Sequence, residues 1–356
     1  MIFTPQQYGK ALDIETPVWT TQGWKNHGEL KAGDFVFGQD GKPQKVLLNT
    51  GAYRWNCQRV NFASGLSLYA APEHEWVYWA DHDDHKGRVL EKKETQDIFK
   101  RRHRRNPYID VSPALQGVQT KLSFDPYIFG LWLGDGISAM GYIVSGEQDV
   151  EYYKSLSIGD IRKETSRTNY YLIRVPNLFH YLRTSGLLKN KHIPQEYLLA
   201  DKDSRWALLQ GLMDTDGCCD KRGNCEFTQK AGKLAEDVYT LLRTLGIKAR
   251  KANYTAKIGN KDCGIKTRIL FNPNRQDPIF RIPRKVERLR CKIKDDRSDK
   301  LKFFIESVEN VEQRLVNCIE VEGGMYLAGI DMIPTHNSET VNLNLPTRLP
   351  GIKVEM

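Results

Sequence analysis

The sequence predicts a mixed fold: an all-β domain split in two along the chain, with an α/β domain inserted between its halves. Three observations carry this. Short strand-like runs separated by turn residues fill the first third of the chain. From about Asp125 the texture changes to capped, apolar, helix-period segments. Near the C-terminus Arg314-Leu315-Val316-Asn317-Cys318-Ile319-Glu320-Val321 reads as strand again.

In chain order, strands are expected over Val18-Trp19-Thr20, Asp34-Phe35-Val36-Phe37, Gln44-Lys45-Val46-Leu47 and Leu66-Ser67-Leu68-Tyr69, with turns at Gly23, Gly33 and Asp40-Gly41. Such spacing suggests a compact β domain. A helix is expected from Asp125, with Pro126 in its first turn. A second runs from Asp203 to Leu212. A third runs from Leu234 to Leu245 and is stopped by Gly246.

The composition, 356 residues with 40% hydrophobic and 27% charged, is that of a folding, soluble chain of two or three domains. No apolar run approaches the roughly 20 residues that cross a bilayer. Met1 to Tyr8 lacks the basic flank and apolar core of a secretory signal. Seven irregularly spaced cysteines argue against a disulfide framework and for a reducing cytoplasm, bacterial or phage-infected. Cys218, Cys219 and Cys225 form no CxxC pair and are read as free thiols. Asp81-His82-Asp83-Asp84-His85 lacks a regular metal-ligand spacing and is read as a solvated turn. The net charge of +9 points toward nucleic acid. Lys100, Arg101, Arg102, Arg104 and Arg105 make the densest basic run, suited either to a phosphate backbone or to a solvated linker.

Two segments look alike: Phe129-Gly130-Leu131-Trp132-Leu133-Gly134-Asp135-Gly136 and Gln210-Gly211-Leu212-Met213-Asp214-Thr215-Asp216-Gly217. Each is an apolar helix with an internal glycine and a terminal Asp-Gly. The small residues let the two helices approach backbone to backbone, leaving Asp135 and Asp216 side by side at their C-terminal ends. Helix ends are partly negative and the carboxylates repel each other, so a divalent cation resolves the conflict. Oxygen-only ligands favour Mg²⁺, which suits phosphodiester cleavage.

This pair resembles the LAGLIDADG homing endonucleases. Lys191-His192-Ile193-Pro194 is similar to that family's Lys-x-Ile-Pro element, and Leu241 to Ile247 to its second helix-to-strand element. The resemblance implies a pseudo-twofold saddle that lies on double-stranded DNA and cuts both strands. Asp135 and Asp216 would be the metal residues. Lys191 would position water or a phosphate, the alternative being a surface lysine. Gly134 stands where the second copy has Asp214, a departure outside the metal position.

The flanks carry other chemistry. In Thr335-His336-Asn337-Ser338 the Asn amide can attack its own carbonyl, His336 can assist, and the Ser hydroxyl can carry an acyl group. Ala11 to Val18 and Leu30 to Val36 resemble the start of an intein; Ala71-Pro72-Glu73-His74 resembles the block whose His activates the upstream junction. The resemblance implies a Hint (hedgehog/intein) fold. Ala11 stands where most inteins have a nucleophile. Trp76, Cys318 and Thr335 together resemble class 3 inteins, in which the internal Cys attacks the upstream junction directly. His74 would protonate the departing Ala11 nitrogen. Ala71 replaces a Thr that commonly accompanies that His, which leaves oxyanion stabilisation there open.

The expected organisation is therefore an N-terminal host fragment over 1–10, a first Hint part with the basic stretch over 11–120, the endonuclease over 121–293, a second Hint part over 294–337 and a C-terminal host fragment over 338–356. Excision would join Lys10 to Ser338. The joined Thr4-Pro5-Gln6-Gln7-Tyr8-Gly9-Lys10-Ser338-Glu339-Thr340 resembles a phosphate-binding loop of a phage terminase large subunit. Three rival readings stand beside this one: an inactivated ordinary intein in which Ala11 replaced Cys, a splicing element whose endonuclease binds DNA without cutting it, and a freestanding endonuclease with a vestigial β domain. The expected partners are duplex DNA and the chain's own flanks, with no membrane, and the expected state is a monomer.

Overall fold

The structure, a computed structural model, describes residues 10–63, 65–82, 87–119, 121–164, 169–259, 261–274, 276–290 and 301–336. The first part of the chain forms β1 (Leu12–Asp13), β2 (Pro17–Thr20), β3 (Gly23–Asn26), β4 (Phe35–Phe37), β5 (Pro43–Asn49), β6 (Tyr53–Phe62), β7 (Ser67–Ala70), β8 (Glu75–Ala80), β9 (Val89–Glu94) and β10 (Tyr108–Asp110). The inserted part begins with α1 (Pro126–Asp135), β11 (Tyr142–Gly146), α2 (Val150–Ser155), β12 (Asp160–Glu164), β13 (Tyr170–Arg174) and α3 (Leu178–Thr184). It continues through α4 (Gln195–Leu198), α5 (Lys202–Thr215), β14 (Gly217–Cys219), β15 (Cys225–Lys230), α6 (Lys233–Thr244), β16 (Ala249–Ile258), β17 (Lys261–Phe271) and α7 (Pro283–Arg290). The last part holds β18 (Lys302–Asn317), β19 (Ile319–Val321), β20 (Met325–Ala328) and β21 (Ile333–His336).

The two ends of the chain build one β domain. In a seven-stranded sheet of order β1-β7-β6-β18-β10-β8-β9, β18 pairs with β6 and also with β1. A five-stranded sheet, β19-β5-β4-β2-β3, again seats a late strand on an early one. The β20–β21 ribbon completes the domain. The expected splitting is thus observed, and its interior is one apolar cluster that includes Leu12, Val60, Trp76, Phe303 and Ile319. One expected strand is broken. Arg314 to Val321 is not continuous, because the chain leaves one sheet after Asn317 and enters the other at Ile319, with Cys318 at the joint.

The inserted domain sets helices α1 to α7 with two antiparallel sheets, β11-β13-β12 and β14-β15-β17-β16. Asp125 caps α1 by accepting from the Ile128 N–H at 2.9 Å, with Pro126 following, and Asp201 caps α5 in the same way through Ser204. A β-carbon on Gly130 would lie 2.4 Å from the Leu208 carbonyl oxygen, and one on Gly211 would lie 2.2 Å from that of Tyr127. Only hydrogen fits between these backbones. Among the described residues, no helix is long and apolar enough to cross a membrane.

The polar run after β8 differs from the expected solvated turn. Asp81 and His82 are buried. Asp81 accepts from Nε of Arg104 at 3.0 Å and of Arg105 at 2.9 Å, and His82 contacts Glu91 Oε1 at 3.2 Å. The expectation failed because the charge partners come from the basic run, some twenty residues later. Asp83, Asp84 and His85 lie outside the described residues. Of that run, Arg104 and Arg105 are tethered to Asp81 and Lys100 to Asp97, so its cations are not a freely solvated linker.

Gly130→Ala or Gly211→Ala should lower unfolding free energy by about 1–3 kcal/mol, since the helices must separate to admit a methyl group. Gly146→Ala, with open space around its β-carbon position, should change it by less than about 0.5 kcal/mol. Urea melts of the three variants check this.

Candidate functional site

Two groups of polar side chains stand out, one in each domain. The first surrounds the Lys10–Ala11 peptide. Leu12 pairs with Asn317 and Asp13 with Val316, so the same antiparallel register sets Ala11 beside Cys318. Ala11, Cys318, Cys57, Ala71 and Val316 share one buried cluster. The Ala11 carbonyl accepts from the Ala71 N–H at 2.9 Å. Cys318 is fixed by Thr50: its N–H donates to Thr50 Oγ1 at 3.0 Å, and its carbonyl accepts from the Thr50 N–H at 3.0 Å. Its Sγ lies 3.5 Å from the Tyr53 hydroxyl.

His74 sits between the two ends of the chain. Its Nδ1 lies 2.9 Å from the Lys10 carbonyl oxygen and its Nε2 lies 2.5 Å from Thr335 Oγ1. A carbonyl oxygen only accepts, so Nδ1 carries the hydrogen and Nε2 accepts from the Thr335 hydroxyl. Burial pushes the His74 pKa down to about 3, against the raising effect of the Lys10 carbonyl and with His27 and His336 adding positive repulsion. The ring is therefore neutral at pH 7. It faces the carbonyl oxygen, whereas the sequence reading had it serving the Ala11 nitrogen.

Trp76 stands edge-on to His74, with ring centroids 5.0 Å apart. Its Nε1 donates to Thr95 Oγ1 at 2.9 Å, and Thr95 in turn donates through its hydroxyl to the His74 carbonyl at 3.1 Å. Glu75 gathers charge from both ends: Lys10 Nζ at 2.9 Å, Lys92 Nζ at 3.0 Å and His336 Nδ1 at 3.4 Å. Partial burial opposes ionisation of Glu75, but Lys10 and Lys92 outweigh it and hold the carboxyl below its ordinary range. The structure thus gathers Lys10, Ala11, His74, Trp76, Cys318, Thr335 and His336 in one place. Asn337 and Ser338 lie outside the described residues.

Sequence reasoning missed Thr95 and another buried histidine, His27. His27 Nδ1 lies 2.7 Å from Asn317 Oδ1, and its Nε2 lies 2.7 Å from the Tyr326 hydroxyl. Burial lowers its pKa to about 4. No motif marked either residue.

The second group lies at the C-terminal ends of α1 and α5. Burial raises the Asp135 pKa, while burial and then the Asp135 charge raise that of Asp216 to about 6. Asp216 Oδ2 accepts from Gln229 Nε2 at 2.9 Å. Lys191 Nζ donates to the Gly134 carbonyl at 2.8 Å, and burial lowers its pKa to about 8. It is half-buried, with the charges of Asp216 and Asp135 acting on it. Lys285, unnoticed in the sequence, plays a comparable part on α5. Its Nζ donates to the carbonyls of Met213 at 2.9 Å, Asp214 at 2.7 Å and Gly217 at 2.7 Å. Asp214 turns inward, accepting from the Tyr127 hydroxyl at 2.7 Å and from the N–H groups of Arg281 and Ile282. It anchors the segment entering α7, which explains why Gly134 needs no matching carboxylate.

Among the described residues, no cluster of three or more His, Cys, Asp and Glu side chains could hold a metal. The donor set at the helix ends is two carboxylates whose pKa values burial raises, that of Asp216 also through the Asp135 charge; their oxygens fit a hard cation with its other ligands from outside the chain.

Residues 203–271 match the family model of a LAGLIDADG-like domain. The replicative DNA helicase DnaB of Mycobacterium intracellulare is 31% identical over 353 residues, covering 93% of this chain and 59% of that protein. The DnaB of Mycobacterium leprae is 32% identical over 69 residues, 19% of this chain and 11% of that protein. The chain thus spans well under two thirds of the curated relatives it matches. Among solved structures, the MchDnaB-1 intein (N145AA) is 13% identical, with 92% of this chain and 98% of that one covered, at a TM-score of 0.28. The homing endonuclease I-DmoI in complex with DNA and Ca is 16% identical, with 46% and 95% covered, at 0.31. The architecture rests on the sheet order and helix placement above: a β domain built from both ends of the chain and carrying an α/β insertion, within which residues 203–271 match the LAGLIDADG-like model. The curated relatives above are replicative helicases, whereas the sequence reading of the ends was a terminase; the ends fall largely outside the described residues.

Because the folded pKa of Asp216 is raised, the folded state binds more protons between about pH 4 and 6. The contribution of Asp216 to stability in metal-free buffer is therefore largest below that window and falls as pH rises through it. Asp216→Asn should raise metal-free stability at pH 7 by about 1–2 kcal/mol after discounting for partial exposure, and should flatten this pH dependence. Urea melts in chelator at pH 5 and pH 7.5 check it.

Proposed function

We propose that this chain is a self-excising intein with a homing endonuclease inserted in it. The observation that carries the splicing half is the Lys10–Ala11 peptide, which lies beside Cys318 while its carbonyl oxygen receives the His74 Nδ1–H. In this reading the Cys318 sulfur attacks the Lys10 carbonyl carbon. The developing negative oxygen is held by His74, whose ring is locked by Thr335 and wedged by Trp76. The carbon–nitrogen bond to Ala11 then breaks, the thiol proton passing to the departing nitrogen, and a thioester is left on Cys318. Ser338 Oγ takes the acyl group. Asn337 cyclises beside His336 and releases residues 11–337, and an O-to-N shift joins Lys10 to Ser338.

For the endonuclease half, Asp135 and Asp216 would hold a divalent cation, Mg²⁺ on this reading. When bound, such an ion polarises water and neutralises the leaving oxygen of a phosphodiester. Lys191, with its lowered pKa, orders the Gly134 carbonyl next to Asp135 and stands ready to hold a phosphate oxygen. The substrate would be duplex DNA at the insertion site in the host gene. Lys100, Arg101, Arg102, Arg104 and Arg105 would add phosphate contacts, with Arg104 and Arg105 oriented by Asp81.

The host is then a phosphate-loop protein divided between Lys10 and Ser338, acting in the cytoplasm. A terminase large subunit is the finer reading of the joined motif. A replicative helicase is its rival, since the curated relatives are helicases; the flanking gene sequence decides between them.

Intact mass after expression tests the splicing reading. Cys318→Ala should abolish splicing and upstream cleavage together, and splicing that survives it would refute the thioester step. If the chain were an ordinary intein disabled at its first residue, Ala11→Cys would rescue splicing in the Cys318→Ala background. Cleavage of an uninterrupted host-gene duplex with Mg²⁺, lost in Asp135→Asn, separates a working endonuclease from one that only binds.

A further inference from the structure

The β20–β21 ribbon carries Thr335 and His336 and is held from both domains: Tyr326, Ala328 and Ile333 join the apolar cluster of the β domain, while its turn reaches the inserted one. Its strands pair only with each other, from Met325↔His336 to Ala328↔Ile333, and a two-stranded ribbon is marginal by itself. Leu327 and Met332 are wholly buried, and both belong to the apolar cluster of the inserted domain, with Leu241, Leu242 and Leu245. Met332 has φ +53°, a left-handed conformation that a side chain other than glycine adopts only when its surroundings impose it.

What imposes it comes from α6. The Tyr239 hydroxyl donates to Asp331 Oδ1 at 2.6 Å. Arg243, with no exposed surface, donates to the Asp331 carbonyl through Nε at 3.0 Å and also through Nη2. Its Nη1 donates to the Ile247 carbonyl at 2.6 Å, and its guanidinium lies over the Phe303 ring of β18 at 5.2 Å. A buried cation thus ties α6, β18 and the ribbon's turn together.

We propose that Tyr239 and Arg243, two residues of the inserted domain, are positioning residues for the splicing reaction. They fix the turn at Asp331 and so hold Thr335 against His74 and His336 next to Asn337. This inference rests on the splicing reading above. Cys318 is held separately, by Thr50 and β1, so loosening the clamp weighs most on the step that needs His336. Asn337 cyclisation slows more than branch formation, and the branched species accumulates.

The test follows purified full-length precursor by intact mass and denaturing gels, scoring branched intermediate against spliced product over time. Tyr239→Phe removes one hydroxyl and keeps the ring; it should slow the branched-to-spliced step about fivefold, the effect of one buried hydrogen bond, with DNA cleavage unchanged. Arg243→Met should slow it more, and Arg243→Lys should recover part of the loss. Equal slowing of both steps, no slowing in Tyr239→Phe, or parallel loss of DNA cleavage in that variant would each overturn the clamp. If the unmodified chain forms neither branched nor spliced species, the splicing reading itself fails.

Discussion

The pairing of Leu12 with Asn317 is the constraint on which the group around the Lys10–Ala11 peptide depends. It joins the two ends of a chain whose middle is an entire second domain, and it does so in a buried sheet where a shift by one residue would turn every side chain to the other face. That register sets Ala11 in one buried cluster with Cys318. His74 then needs only a neutral ring in one orientation, which burial, Thr335 and Trp76 supply.

The inserted domain applies the same principle to charge. Glycines at 130 and 211 bring two helix backbones into contact, and that contact leaves Asp135 and Asp216 where the backbone is already partly negative. Lys191 and Lys285 relieve the crowding from below by binding the terminal carbonyls. An arrangement so poor for stability is the kind that a ligand completes.

Much of this was legible in the sequence, because it is written in local pattern or in motif. The strands near Thr20, Phe37 and Leu47, the caps at Asp125 and the glycine-bearing helices all follow from neighbours in the chain. What escaped depends on partners far apart in sequence. Asp81 looked solvated because Arg104 and Arg105 return to it from beyond β9. Thr95 and His27 belong to no recognisable spacing and matter only through what they touch. Cys318 was seen, but its place between two sheets was not, since an unbroken apolar run does not disclose where a chain changes partners. Lys285 lay two residues past Ile282-Pro283, an echo of Ile193-Pro194 that could have drawn attention to it.

Glu75 adds a consequence of another kind. One carboxylate meets Lys10, which would belong to the host, and His336, which would belong to the intein. A host side chain is thereby recruited into the apparatus that removes the intruder. On the splicing reading, such an element would travel poorly among genes, its tolerated addresses being those that already encode a cation just ahead of the point of entry.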